Sequence, residues 1–155
     1  MNQNVDIITQ NIEVASFIRE VFGYTERFKG QLFVLKIEDS LMSHPLFPVL
    51  MRDIALLHKA GIQIIIVPGT RTSIDAQLKA WDIESRFHNG VRLTSEEALP
   101  LIEQASLGAA QRIMSHLTAS GCNGIQGNWV LARSLGVIDG VDYMRTGRIE
   151  RIQRD

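Results

Sequence analysis

Apolar positions along this chain change period several times, and those changes mark out its elements. From residue 11 to 27, Ile12, Ala15, Ile18, Val21 and Phe22 recur every three or four residues, the spacing of a helix with one apolar stripe. Lys29-Gly30 ends it. Leu32-Phe33-Val34-Leu35-Lys36-Ile37 is a branched and aromatic run followed by polar Glu38-Asp39-Ser40, which predicts a buried strand and then a turn. Pro48 suits the opening turn of a second helix carrying Leu50, Ile54, Leu57 and His58, and Gly61 supplies the residue that stops it. A strand is predicted at Ile62 to Val67, a turn at Pro68-Gly69-Thr70, and a third helix from Ser73 to Trp81 with Ile74 and Leu78 on one side. The order β-α-β-α predicts a parallel, right-handed α/β layer.

Beyond residue 82 the pattern shortens. Asn89-Gly90 between Phe87 and Val91 is the strongest hairpin signal in the chain. Thr94 followed three residues later by Glu97 reads as a capping box, so a long helix is predicted from Ser95 to about Thr118, bent near Pro100 and closed by Gly121. From Gln126 onward the reading is β. One strand falls near Trp129 to Ala132, a glycine-rich connection passes through Gly136 and Gly140, and a second strand falls near Tyr143 or at Arg148 to Ile152. No internal repeat or low-complexity segment appears.

Composition narrows the classes. The 155 residues with 45% hydrophobic content are enough for one ordinary core. Sixteen basic against seventeen acidic residues leave a formal charge of -1, so no global field favours nucleic acid or an anionic membrane. Cys122 is the only cysteine and cannot form an internal disulfide, and the Met-Asn-Gln-Asn-Val-Asp start lacks the basic and apolar regions of a signal peptide. Both features set the expectation of a cytoplasmic protein. The apolar runs are too short to span a bilayer.

In open α/β sheets ligands bind beyond the carboxyl ends of the parallel strands, which singles out the loops Lys36 to Ser40 and Pro68 to Thr72. Lys36 reads either as a phosphate-neutralising cation or as a strand-end lysine whose ammonium reaches solvent; the second reading is preferred. Glu38 and Asp39 could hold a divalent ion or split their pKa values, but adjacent acids in a turn are usually just solvated. Arg71, at a helix start, could hold a carboxylate bidentately, or be an ordinary surface arginine. His44, His58, His88 and His116 lack metal-ligand spacing, so no metal is expected. No serine-centred elbow, Walker loop or dinucleotide fingerprint is present. Trp81 and Trp129 read as core or interface anchors.

The string Gly127-Asn128-Trp129-Val130-Leu131-Ala132-Arg133-Ser134-Leu135-Gly136-Val137, continuing into Asp139-Gly140-Val141-Asp142-Tyr143-Met144-Arg145-Thr146-Gly147-Arg148-Ile149, resembles a segment of the amino-acid-kinase-like domain of bacterial N-acetylglutamate synthases. The resemblance runs from about Phe17 to the C-terminus and rests on several separate motifs. It implies a partial three-layer, carbamate-kinase-like α/β fold with a mostly parallel sheet, an N-terminal helix and a C-terminal β-hairpin. Residues 1–29 are then a helical arm and residues 30–155 the partial domain. Amino-acid kinases place paired glycines after the first-strand lysine, so that backbone N-H groups can approach phosphate oxygens. Here the lysine is Lys36, but Glu38-Asp39 stands in place of the glycine pair, and two carboxylates there would repel a nucleotide. No kinase activity is expected.

The same resemblance implies a ligand site at Gly69, Thr70, Arg71 and Arg92, since Val91-Arg92-Leu93-Thr94 matches a segment whose arginine contacts the acetylated amino acid in the kinases. Arg92 can also be read as a structural arginine fixing the hairpin to the next helix. Tyr24 matches the helix that interlaces subunits and helps form the arginine site in arginine-sensitive members. Two further departures matter: Thr118 to Gln126 is too short for the sheet strand the family has there, and the family continues past Asp155 into an acetyltransferase domain. Arginine, glutamate or N-acetylglutamate is therefore the expected ligand class, acetyl-CoA would be used outside these residues, and no catalytic residue is expected among them. Exposed apolar surface on a partial domain predicts a homo-oligomer. The chain reads either as a piece of an arginine-biosynthetic enzyme or as a stand-alone amino-acid-binding or oligomerisation module.

Overall fold

The computed structural model describes the backbone of residues 2–153 and the side chains of residues 11–153. Its elements are α1 (Asn2–Phe28), β1 (Leu32–Ile37), α2 (Asp39–Met42), α3 (Phe47–Lys59), β2 (Gln63–Pro68), α4 (Arg71–Ala80), β3 (Arg86–His88), β4 (Val91–Leu93), α5 (Leu99–Ala119), β5 (Val130–Ser134), β6 (Val137–Ile138), β7 (Val141–Asp142) and β8 (Gly147–Ile152). β1 and β2 pair in parallel from Leu32 opposite Gln63 to Ile37 opposite Pro68, with α3 as the crossover between them. The remaining ladders, β3–β4, β5–β8 and β6–β7, are antiparallel hairpin-type pairs.

One face of the parallel pair makes the core. Leu35, Ile37, Ile64 and Ile66 pack on Phe47, Met51, Ile54 and Ala55 of α3 and on Ala109, Ile113 and Leu117 of α5. The buried stripe of α5 steps by four, Ala105, Ala109, Ile113, Leu117, so its alanines allow close helix approach while the larger residues fill the sheet side. Ala105 belongs to a second cluster with Ile74 and Leu78 of α4, so α5 ties both clusters together.

The opposite face of β1–β2 is bare: Leu32, Val34, Ile65 and Val67 are 55%, 63%, 42% and 44% exposed. The domain is thus partial in a definite way, with one helical layer on the sheet and apolar side chains where another would lie. The α1 stripe is bare as well, since Ile12, Ile18, Val21 and Phe22 are all exposed. No helix among the described residues is long and apolar enough to cross a membrane.

Several expectations change in detail. The α3 stripe runs through Phe47, Met51, Ile54 and Ala55, and Leu57, 40% exposed, lies outside it. The long helix does not begin at Ser95. Thr94 lies in a β-bridge with Met144, while the Ser95 hydroxyl accepts the Ala98 amide in a turn that precedes Leu99. Pro100 then falls in the first helical turn, where its missing N-H costs nothing, so it starts the helix and does not bend it. Trp81 and Trp129 are 69% and 45% exposed and belong to no core cluster. No strand forms between α5 and β5, as the short connection requires.

Candidate functional site

The two loops at the carboxyl ends of β1 and β2 touch, and Gly69 is what lets them. A Cβ on Gly69 would lie 3.1 Å from a Glu38 carboxylate oxygen and 3.2 Å from both the Asp39 nitrogen and the Glu38 Cα, while the Gly69 amide donates to the Ile37 carbonyl at 2.6 Å. Lys36 does reach solvent, but its ammonium pairs with Glu38 at 2.8 Å. Asp39 is not a merely solvated acid. Its carboxylate accepts the Ser73 amide at 2.6 Å and the Ser73 hydroxyl at 3.0 Å, capping α4 from across the chain. Thr70, at the N-cap position itself, makes no side-chain cap. An external anion at this helix start would therefore meet a carboxylate already in place.

A second constellation lies one turn along α4. The two-residue Asn89-Gly90 turn, with φ of 47° and 78°, sets a register in which Phe87 stands directly opposite Arg92. Cross-strand partners share a face, and the Arg92 guanidinium sits 4.6 Å from the Phe87 ring centre. Arg92 also bonds the Asp75 carboxylate at 2.7 Å and the Ser85 hydroxyl, and Ser85 in turn donates to Asp75. The Arg92 side chain is 13% exposed and Asp75 44%. Arg92 thus pins the hairpin to α4.

Arg71, the first residue of α4, lies over the same Phe87 ring at 5.1 Å and has no carboxylate partner among the described residues. The hydrogen bond from Arg92 holds the Asp75 carboxyl below its ordinary value, with Ser85 and the charges of Arg92 and Arg71 acting in the same direction against a smaller effect of burial. Asp75 is therefore ionised at neutral pH. Of the two guanidinia near the Asp75 carboxylate, Arg92 is paired with it and Arg71 is not. An open cleft of about 430 Å³ lined by Asp75, Lys79, Asp82, Ile83, Glu84, Ser85 and Phe87 runs along this side of α4.

Of the residues singled out from sequence, Gly69, Thr70, Arg71, Lys36, Glu38 and Asp39 meet at one end of the parallel pair, and Arg92 joins them through Phe87 and Asp75. Tyr24 does not. Its ring stacks on Phe28, which meets Phe33 near the start of β1, at the opposite end of the strand. The histidines have local duties: His58 Nδ1 meets the Ile62 carbonyl, His116 lies edge-on to Phe47, and His88 lies edge-on to Tyr143. Sequence reading passed over Asp75, Ser85 and Phe87 as site members, although the Asn-Gly turn already implied the Phe87–Arg92 pair.

A parallel β-α-β unit with its glycine turn leading into a helix, joined to a short hairpin carrying a part-buried arginine, defines an α/β domain of the kind found in amino-acid kinases. The chain belongs to the amino acid kinase family, whose model matches residues 31–155. Among curated proteins it is similar to the amino-acid acetyltransferase of Haemophilus ducreyi, 36% identical over 148 residues, and to that of Escherichia coli K12, 34% identical over 152 residues. Each match covers 92% of this chain, which spans only 34% of each relative's length. Among solved structures it resembles the N-acetylglutamate synthase of Neisseria gonorrhoeae complexed with coenzyme A and N-acetyl-glutamate, with a TM-score of 0.79 and 28% identity over 89% of this chain and 32% of that one. The same enzyme complexed with coenzyme A and L-arginine gives a TM-score of 0.73 at 26% identity.

Proposed function

We propose that the chain is the amino-acid-kinase-like portion of an N-acetylglutamate synthase, the enzyme that acetylates glutamate from acetyl-CoA in arginine biosynthesis, and that it binds a small amino-acid ligand. The supporting observation is the pair Arg71 and Arg92 set against the single carboxylate of Asp75. A guanidinium without a carboxylate partner, at a helix N-terminus and over an aromatic face, is suited to a ligand carboxylate. Arg71 takes that role, and Arg92 fixes the ring and backbone around it. Arginine, glutamate and N-acetylglutamate all carry the required group.

These residues carry out no acyl transfer, and acetyl-CoA is used elsewhere in the enzyme. They are no kinase either, since Glu38 and Asp39 neutralise Lys36 and the α4 N-terminus that would face a phosphate. Residues 1–29 act as an arm and residues 30–155 as the domain. The exposed stripe of α1 supports self-association in a cytoplasmic homo-oligomer.

Calorimetric titration with N-acetyl-L-glutamate, L-glutamate, L-arginine and ATP tests the reading. Binding of one of the amino acids, weakened about tenfold or more by Arg71→Ala, is expected, consistent with loss of a charge-assisted bond of roughly 1.5–3 kcal/mol. Absence of binding by all three amino acids, or tight ATP binding, overturns it.

A further inference from the structure

Arg92 is held not only by its side chain. Its carbonyl accepts the Thr146 hydroxyl at 2.6 Å, and the amide of Thr94, two residues on, donates to that same Thr146 oxygen at 3.1 Å. Thr146 has a single hydroxyl proton, and it is committed to Arg92. The Thr94 hydroxyl, 3.2 Å from that of Thr146, must then be the donor between the two. The Arg145 amide adds a bond to the Thr94 carbonyl at 2.9 Å. One hydroxyl thus bridges both ends of the peptide segment that carries Arg92, across 52 and 54 residues of sequence.

The bridge matters because β3–β4 is short. Three residue pairs make the ladder, and a hairpin of that size is marginal without an external anchor. The residues around the anchor are buried: Thr94 and Tyr143 are each 7% exposed, and the Tyr143 ring lies edge-on to His88 of β3 at 6.1 Å. Thr146 directly precedes β8, and its carbonyl accepts the Leu135 amide just past β5, so the anchor belongs to the β5–β8 hairpin.

We propose that Thr146 is a positioning residue for Arg92, and that through it the β5–β8 hairpin sets the geometry of the amino-acid site. The role in binding rests on the function proposed above; the role in holding Arg92 does not. Losing the bridge frees the Arg92 carbonyl and the Thr94 amide together, so β4 shifts relative to α4 and the Arg92–Asp75–Ser85 contacts loosen.

The test compares Thr146→Val, which keeps the shape and removes the hydroxyl, with Thr146→Ser, which keeps the hydroxyl, and with Thr94→Val, which removes only the second hydroxyl. Thr146→Ala replaces the valine variant if valine does not fold. Two readouts are taken on the full chain: solvent exchange of the Arg92 side-chain Nε-H by NMR, and the Kd for N-acetyl-L-glutamate. The expected result is faster exchange and a Kd raised about tenfold in Thr146→Val, recovery to within about twofold in Thr146→Ser, and a smaller change in Thr94→Val. Unchanged Arg92 exchange in Thr146→Val overturns the proposal, as does an equal effect from Thr94→Val, which would mark general loosening. If the native chain binds none of the three amino acids, the ligand reading fails alone, and the exchange data still decide the role of Thr146.

Discussion

The loop pair after β1 and β2 and the hairpin pocket beside α4 lie within a helical turn of each other, yet they treat charge in opposite ways. In the loop pair every charge is answered from within the chain: Glu38 meets Lys36, and Asp39 meets the first turn of α4. In the pocket Asp75 answers Arg92, and Arg71 is left over. Proximity to strand ends marks both places as candidates. What separates an occupied anion site from an available one is the local sum of charges, including carboxylates arriving from other loops.

The comparison breaks most easily at Gly69. Gly69→Ala places a methyl against the backbone of Glu38 and Asp39, so a loss of about 1–3 kcal/mol is expected, typical of overpacking against atoms that cannot move aside. Chemical denaturation measures it, and an unchanged midpoint would mean that the two loops are not tightly apposed.

Asp39→Ala probes the internal anion directly. Loss of the α4 cap should cost about 1 kcal/mol, whereas Glu38→Gln, at an exposed ion pair, should fall within about 0.5 kcal/mol. Equal costs for the two substitutions would show that Asp39 is no cap.

The effect expected at Asp75 depends on pH. Its pKa is lowered in the folded state, so its contribution to stability is present above the ordinary value of 3.8 and is lost as pH falls through the lower, folded value. The thermal-stability gap between the native chain and Asp75→Asn should therefore be full near neutrality and close below pH 3.8. Since Asp75 is 44% exposed, solvent screening keeps that gap under about 1 kcal/mol. A gap that persists at low pH would point to shape instead of charge.

How much of this was legible in the sequence depends on the range of each interaction. The β1–β2 pair, the Asn89-Gly90 hairpin and the short connection after α5 are encoded in neighbouring residues, and reading them in order yields the family architecture. The Phe87–Arg92 stack was within reach, because a two-residue turn fixes which residues face each other. Asp39 capping Ser73 was not, since nothing local links a turn acid to a helix 34 residues later. Thr94 misled for the same reason: its pattern with Glu97 fits a cap, but its hydroxyl is taken by Thr146, 52 residues away. The α1 stripe shows the converse, a period that is plain in sequence without burial to match it.

The Asp39 cap has a consequence for what this loop can accept. A glycine placed at position 39 would open room for an anion, but it would also strip the α4 start of the carboxylate that Ser73 donates to, so the substitution costs stability unless an anion is present to replace it. The cap works as a resident ligand: the carboxylate that completes the scaffold also occupies the place at the helix start that a phosphate would need.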